Sequence, residues 1–210
     1  MKIAYHNLIL NRNVEYFHNP FGGISDEELI EVIDPKYSFE ELTETLNQNK
    51  PIIVQFVGKK GRGKTIHLRA LYQLASNSKI YILDRNNHRN ITNPDNLNIF
   101  IDSVHHIPLR KRLQLWRQTN TSYVITTHFP RNLEFFFCKR KYKTFYFNEI
   151  TSEKLEVIIK KRVSKFSYLK YEDVVVDQDI LNQLIKKFDD NIRATLNFLY
   201  DQFKAVNHYG

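Results

Sequence analysis

The chain has 210 residues, 42% of them aliphatic or aromatic, enough for one α/β core and a small appendage. No apolar run approaches the roughly 20 residues of a membrane span. The opening MKIAYHNLILNRN lacks the apolar length and small-residue cleavage site of a secretory signal. One cysteine, Cys138, excludes a disulfide framework and fits a reducing compartment such as the cytoplasm.

The net charge of +8 is unevenly spread. Residues 1–48 carry 3 basic and 9 acidic side chains, 49–104 carry 9 and 3, 105–170 carry 15 and 4, and 171–210 carry 4 and 7. The block at 105–170 predicts a polyanionic partner, either nucleic acid or acidic surfaces of neighbouring subunits, against the alternative of a solvated basic face.

In chain order, Asn19-Pro20-Phe21-Gly22-Gly23 reads as a turn. Ser25 followed by Glu28 is a capping signature that predicts a short helix over Asp26–Ile33, ended by Asp34-Pro35. Ser38 and Glu41 repeat it, predicting a helix to about Asn47 with Phe39, Leu42 and Leu46 on one face. Pro51–Val57 (PIIVQFV) reads as a buried strand, and a helix follows at 65–75. Four further strands are predicted at Lys79–Asp84, Leu97–Asp102, Ser122–Thr127 and Thr144–Phe147. The polar loop at 85–96 separates the first two. PLRKRLQLWRQT reads as a helix with Leu109, Leu113 and Trp116 on one face. Cys138, beside Phe135-Phe136-Phe137, reads as a buried structural thiol. After Ile150 the pattern turns helical: SEKLEVIIKKRVSKF, an extended YEDVVVD, a helix at 178–188 and another from Asn191. The division expected is an acidic helical arm (1–48), an α/β domain (49–149) and a helical domain (150–210).

The most specific signal is Gly58-Lys59-Lys60-Gly61-Arg62-Gly63-Lys64-Thr65, placed between a strand and a helix. The spacing is G-x-x-x-x-G-K-T, a phosphate-binding loop. Glycines let the backbone come close to phosphate oxygens, and successive N–H groups converge on the anion at a helix N-terminus. Lys64 is placed to reach the β- and γ-phosphates, and the Thr65 hydroxyl to ligate Mg2+. A carboxylate at the end of a neighbouring strand completes such a site, and IFID ends in Asp102; Asp84, ending IYILD, is the rival. No guanine-reading N-K-x-D follows a strand, so ATP is the expected nucleotide.

With these motifs the chain resembles the AAA+ superfamily over about residues 38–205. GKKGRGKT resembles its Walker A loop and IFIDS its Walker B strand. The resemblance implies a P-loop NTPase fold: a five-stranded, mostly parallel sheet covered by helices, with a small C-terminal helical lid. YVITTHFPRNL resembles the strand bearing sensor 1, which implies Thr127, or else Thr126, beside the γ-phosphate. CKRKYKTFYF resembles the segment that supplies a basic residue across a subunit interface, implying Arg140, with Arg131 and Lys139 as rivals. FDDNIRATLNFLY resembles a sensor 2 helix, implying that Arg193 touches the γ-phosphate. Ser103 departs from the pattern: it follows Asp102 where hydrolysing members carry a glutamate, and serine is no base at neutral pH without help. His105 or His106 is an alternative base; as neighbours in sequence their side chains are expected to diverge, so they are not read as a metal pair.

The function expected is an ATP-binding, AAA+-like ATPase or ATP-gated switch that assembles with itself or a protein partner on DNA or a nucleoprotein complex, with weak or partner-dependent hydrolysis. A P-loop small-molecule kinase and a non-hydrolysing ATP-binding interaction module are the alternatives. A kinase acts as a monomer on a small acceptor, whereas an AAA+ protein assembles with ATP.

Overall fold

Ile53–Val57 (β1) is buried at all five positions, as a strand flanked on both sides and covered on both faces must be. Its one polar residue, Gln55, is fully satisfied. The amide nitrogen donates to Asn132 Oδ1 (2.5 Å) and Thr144 Oγ1 (2.8 Å), and its carbonyl accepts from the Arg131 N–H (2.9 Å). With β2 (Ser78–Ile82), β3 (Asn98–Asp102), β4 (Ser122–Thr127) and β5 (Tyr142–Tyr146), β1 forms a parallel sheet in the order β2-β3-β4-β1-β5. The expected α/β class and five strands hold, and every described strand pair in the sheet is parallel. Because β4 lies between β3 and β1, the chain leaves the carboxyl ends of three adjacent strands at Gly58, Ser103 and His128. Ligands of open parallel sheets bind at that edge.

The structure, a computed structural model, describes residues 5–11, 14–35, 37–48, 51–84, 91, 98–189 and 191–206. Apart from Ile91, the polar loop expected at 85–96 lies outside them. Two units are present. The sheet unit comprises Pro35–Lys60 and Lys64–Phe147; the helical unit comprises Met1–Asp34, Gly61–Gly63 and Asn148–Gly210. The acidic first 48 residues are thus divided between the two.

In the sheet unit, α2 (Phe39–Asn47) buries Phe39, Leu42 and Leu46 as its spacing predicts, and Ser38 caps it by accepting from the Glu41 N–H (3.1 Å). The next helix, α3 (Lys64–Leu74), buries Leu68, Ala70 and Leu71. In α4 (Leu109–Trp116) Trp116 is buried and Leu113 packs against the core as expected, but Leu109 is 53% exposed and Arg112 and Leu115 are buried in its stead. The cause is an ion pair. Arg112 donates to both oxygens of Glu134 (3.0 and 2.6 Å) and to the Ile107 carbonyl (2.6 Å), and Trp116 Nε1 donates to Glu134 (2.9 Å). An arginine satisfied at every edge can occupy a core position and turn the helix. Glu134 belongs to a short helix that the sequence did not disclose, α5 (Asn132–Phe137), which buries Phe135 and leaves Leu133, Phe136 and Phe137 exposed. Cys138 is only half-buried, against Leu113.

The helical unit packs α6 (Ser152–Lys165), α7 (Gln178–Phe188) and α8 (Ile192–Val206) around Leu155, Ile159, Val163, Leu181, Leu184 and Leu199. The N-terminal segment joins this core through Leu8 and Phe21 and through antiparallel bridges Ile9–Val176 and Tyr16–Ser167. Buried Arg162 donates to the carbonyls of Pro20 (3.0 Å) and Gly22 (3.2 Å). The helix expected over 26–33 shortens to α1 (Leu29–Val32), and YEDVVVD contains a 3-10 turn, Tyr171–Asp173. No helix among the described residues is long and apolar enough to cross a membrane.

Candidate nucleotide-binding site

Residues Gly58–Gly63 leave β1 and the chain re-enters a helix at Lys64. A Cβ on Gly58 would stand 2.5 Å from the Phe147 carbonyl oxygen, so only glycine fits there. Gly61 and Gly63 take φ of 86° and 87°, the left-handed region that turns the loop back onto the helix N-terminus. Lys59 and Lys60 are exposed and Arg62 is half-buried. Gly61 belongs to the helical unit, within which its carbonyl accepts from the Arg193 backbone N–H (3.3 Å).

Lys64 is 8% exposed, and its ammonium donates to the carbonyls of Gly58 (2.7 Å) and Lys59 (2.6 Å). The cation is therefore held in the curve of the loop. The Thr65 hydroxyl donates to Asp102, 3.0 Å from one oxygen and 3.2 Å from the other. Asp102, at the end of β3, also accepts from Thr126 Oγ1 (2.5 Å), and that hydroxyl in turn accepts from the Ser103 N–H (2.7 Å). The loop hydroxyl and the strand-end carboxylate thus meet, with Lys64 next to Thr65 in the chain. Hydroxyl and carboxylate oxygens are the hard donors that Mg2+ takes, and Thr65 with Asp102 fits that ion. The rival Asp84 lies exposed beyond the end of β2.

The other expected residues lie as follows. Thr127 is buried and donates to the Phe129 carbonyl (2.9 Å); Thr126, given second place in the sequence, is the threonine that meets Asp102. The register of β3 on β4, with Ile101 opposite Ile125, sets Asp102 beside Thr126, and a Thr-Thr doublet does not disclose its register. Arg140 is 8% exposed and donates to the carbonyls of Trp116 (3.2 Å), Gln118 and Thr121 (2.6 Å). A guanidinium so engaged ties the end of α4 to the start of β4. It cannot act across an interface without leaving those bonds. Of its rivals, Arg131 is half-buried against Glu134 (3.5 Å) and Lys139 is exposed. Arg193 is exposed near the start of α8, in the helical unit.

Beyond Asp102 the chain turns through Ser103, whose φ of 63° puts a non-glycine residue in the left-handed region. His105 and His106 follow, and their rings lie 4.2 Å apart rather than diverging; His128, from the end of β4, lies 4.6 Å from His105. Among the described residues no group of three or more His, Cys, Asp or Glu is arranged to hold a metal ion. Burial, then the neighbouring His106, His128 and Arg131, lower the His105 pKa to about 4, opposed only by Asp102. This ring is neutral at physiological pH. His128 Nδ1 lies 3.2 Å from the Gly58 carbonyl.

No protein-family model matches the sequence, and neither does any curated protein. Solved structures do match. One structure of a Thermotoga maritima RuvB variant superposes with a TM-score of 0.55 at 16% identity, covering 81% of this chain and 62% of the other. A second gives 0.53 at 15% identity, covering 86% and 64%. The chain therefore spans less than two thirds of those proteins. At this identity the likeness is one of fold: the chain shares the α/β fold of those RuvB structures.

Proposed function

We propose that the protein binds Mg-ATP at Gly58–Thr65 and Asp102 and works as an AAA+-like ATPase or ATP-gated switch. The observation that carries this is the contact between the Thr65 hydroxyl and Asp102 beside the enclosed Lys64 ammonium, 3.0 Å and 2.7 Å from their partners. Backbone N–H groups of the loop would hold the phosphates, and Lys64 would neutralise their β- and γ-oxygens. Thr65 and Asp102 would hold Mg2+, which draws electron density from the phosphate oxygens when bound. Thr126 fixes the Asp102 carboxylate. A role for Arg193 at the γ-phosphate is proposed on the sequence resemblance.

Assembly with further copies or a protein partner, on DNA or a nucleoprotein complex, belongs to the same reading. Arg112, Arg140 and Arg162 are buried and spoken for, so the excess of positive charge in 105–170 is smaller at the surface than in the sequence. Exposed Arg110, Arg117, Lys139 and Lys141 of the sheet unit remain, and such residues support salt-dependent binding to phosphates with little regard to sequence. Light scattering with and without Mg-ATP, repeated with a duplex, tests this. A mass that rises with nucleotide supports the switch; one mass under all conditions removes assembly and leaves a solitary ATP-binding module.

A further inference from the structure

Ser103 removes the carboxylate that would activate water, yet the same strand edge carries an imidazole on the next strand. We infer that His128 is the water-activating base of this site, standing in for the absent glutamate. The inference rests on the nucleotide-hydrolysing reading above.

The place comes from the topology. In the order β3-β4-β1, the end of β4 lies between Asp102-Ser103 on one side and the phosphate loop on the other. His128 leaves β4 at that point, two residues after Thr126, whose hydroxyl links Asp102 to the Ser103 N–H. The Gly58 carbonyl accepts from Lys64 Nζ (2.7 Å) and meets His128 Nδ1 at 3.2 Å. The ammonium meant for the terminal phosphates and the imidazole therefore flank one oxygen atom.

The chemistry comes from that same oxygen. A backbone carbonyl only accepts, so Nδ1 must carry the hydrogen, and in the neutral ring Nε2 is left with a free lone pair. A fixed partner on one ring nitrogen is the device that orients a catalytic imidazole and sets its tautomer. The His105 ring packs on His128 at 4.6 Å, with His106 behind it at 4.2 Å, so the imidazole is braced by groups that carry no competing carboxylate. His105, held neutral by burial, adds no positive charge beside His128.

In the step this assigns, the water proton passes to Nε2 as the water oxygen bonds to the terminal phosphorus. The bond from that phosphorus to the bridging oxygen breaks, and its electron pair leaves on the diphosphate, next to Lys64. The imidazolium then gives its proton to the phosphate released.

Two measurements test it. In the protein without nucleotide, 15N NMR of the histidine rings, assigned with His128→Asn, reports the tautomer of His128. The Nδ1–H form is expected, and an Nε2–H form overturns the inference. The second is single-turnover hydrolysis beside equilibrium ATP binding for wild type and His128→Asn, whose amide keeps a donor toward Gly58 but offers no base. Affinity within about threefold of wild type with hydrolysis slower by about a hundredfold or more is expected. Equal hydrolysis in the variant, or wild type that binds ATP without turning it over, overturns the inference and leaves the nucleotide site standing. Absence of ATP binding by wild type overturns the nucleotide reading itself, and the assignment with it.

Discussion

Glu134 is the residue whose removal most directly tests how α4 and α5 are joined. Its carboxylate receives Arg112 through two bonds and Trp116 through a third, with side-chain exposures of 8% for Arg112 and 12% for Glu134. Breaking a buried pair by removing one partner costs about 3–5 kcal/mol, because the other charge stays buried without compensation. The pair retains a small solvent-facing edge, so Glu134→Leu should cost about 3 kcal/mol. At about 2–4 °C per kcal/mol for a chain of this size, the melting temperature should fall by roughly 6–12 °C. Urea titration and calorimetry of Glu134→Leu, Arg112→Met and the double variant supply the assay. The double variant should recover most of the loss, since an apolar pair of similar volume replaces a buried ion pair at little cost. The pH dependence has a definite sign. Burial pushes the Glu134 carboxyl up, but hydrogen bonds from Arg112 and Trp116 and the charges of Arg112 and Arg131 outweigh it and hold the carboxyl below its ordinary value. Its contribution is therefore complete above the unfolded carboxyl pKa and is lost as pH falls through the folded one, so the gap between wild type and Glu134→Gln should narrow on acidification. A single variant Glu134→Leu that loses less than about 0.5 kcal/mol, within the ordinary range for a surface change, would refute this account of how α4 and α5 are joined.

Three further expectations follow from the same geometry. Arg140→Ala should destabilise by about 3 kcal/mol, since the carbonyls of Trp116, Gln118 and Thr121, the first and last of these bonds buried, lose their donor; a variant that melts like wild type but fails to assemble with ATP would restore its role across an interface. Gly58→Ala forces a Cβ to 2.5 Å from the Phe147 carbonyl. It should cost about 1–3 kcal/mol in urea titration, and an unperturbed midpoint would show that the loop has room to spare. Asp102→Asn should bind ATP with an affinity that no longer rises when Mg2+ is added, and retention of the full Mg2+ effect would place the ion elsewhere.

The fold and the core of the site could be read because their signals are local. A G-x-x-x-x-G-K-T run between a β-branched strand and a helix is a specific local pattern, and Asp102 ends an apolar strand of the right length. The parts that escaped depend on register and on long-range pairing. Thr126 and Thr127 differ only in which face of β4 they occupy, which the partner strands decide. Arg112 and Arg140 look like members of a basic surface until Glu134 and three carbonyls, from residues 116 to 134, are brought to them. His128 carried no signal in the chain, being one histidine after a strand; its meaning arises when β4 is set between β3 and β1. The converse case is α4, where helical spacing alone favoured Leu109 over Arg112 because an arginine satisfied on every side is not visible in a period.

Lys64 is the residue through which this loop is proposed to hold Mg-ATP. Calorimetric titration of the protein with ATP, with and without Mg2+, for wild type and Lys64→Ala, tests it most directly. One site per chain is expected, tighter with Mg2+, and weakened by about ten- to a hundredfold in the variant, as the loss of a charged hydrogen bond of about 1.5–3 kcal/mol requires. Equal affinity in the two proteins, or no binding to wild type, would contradict it.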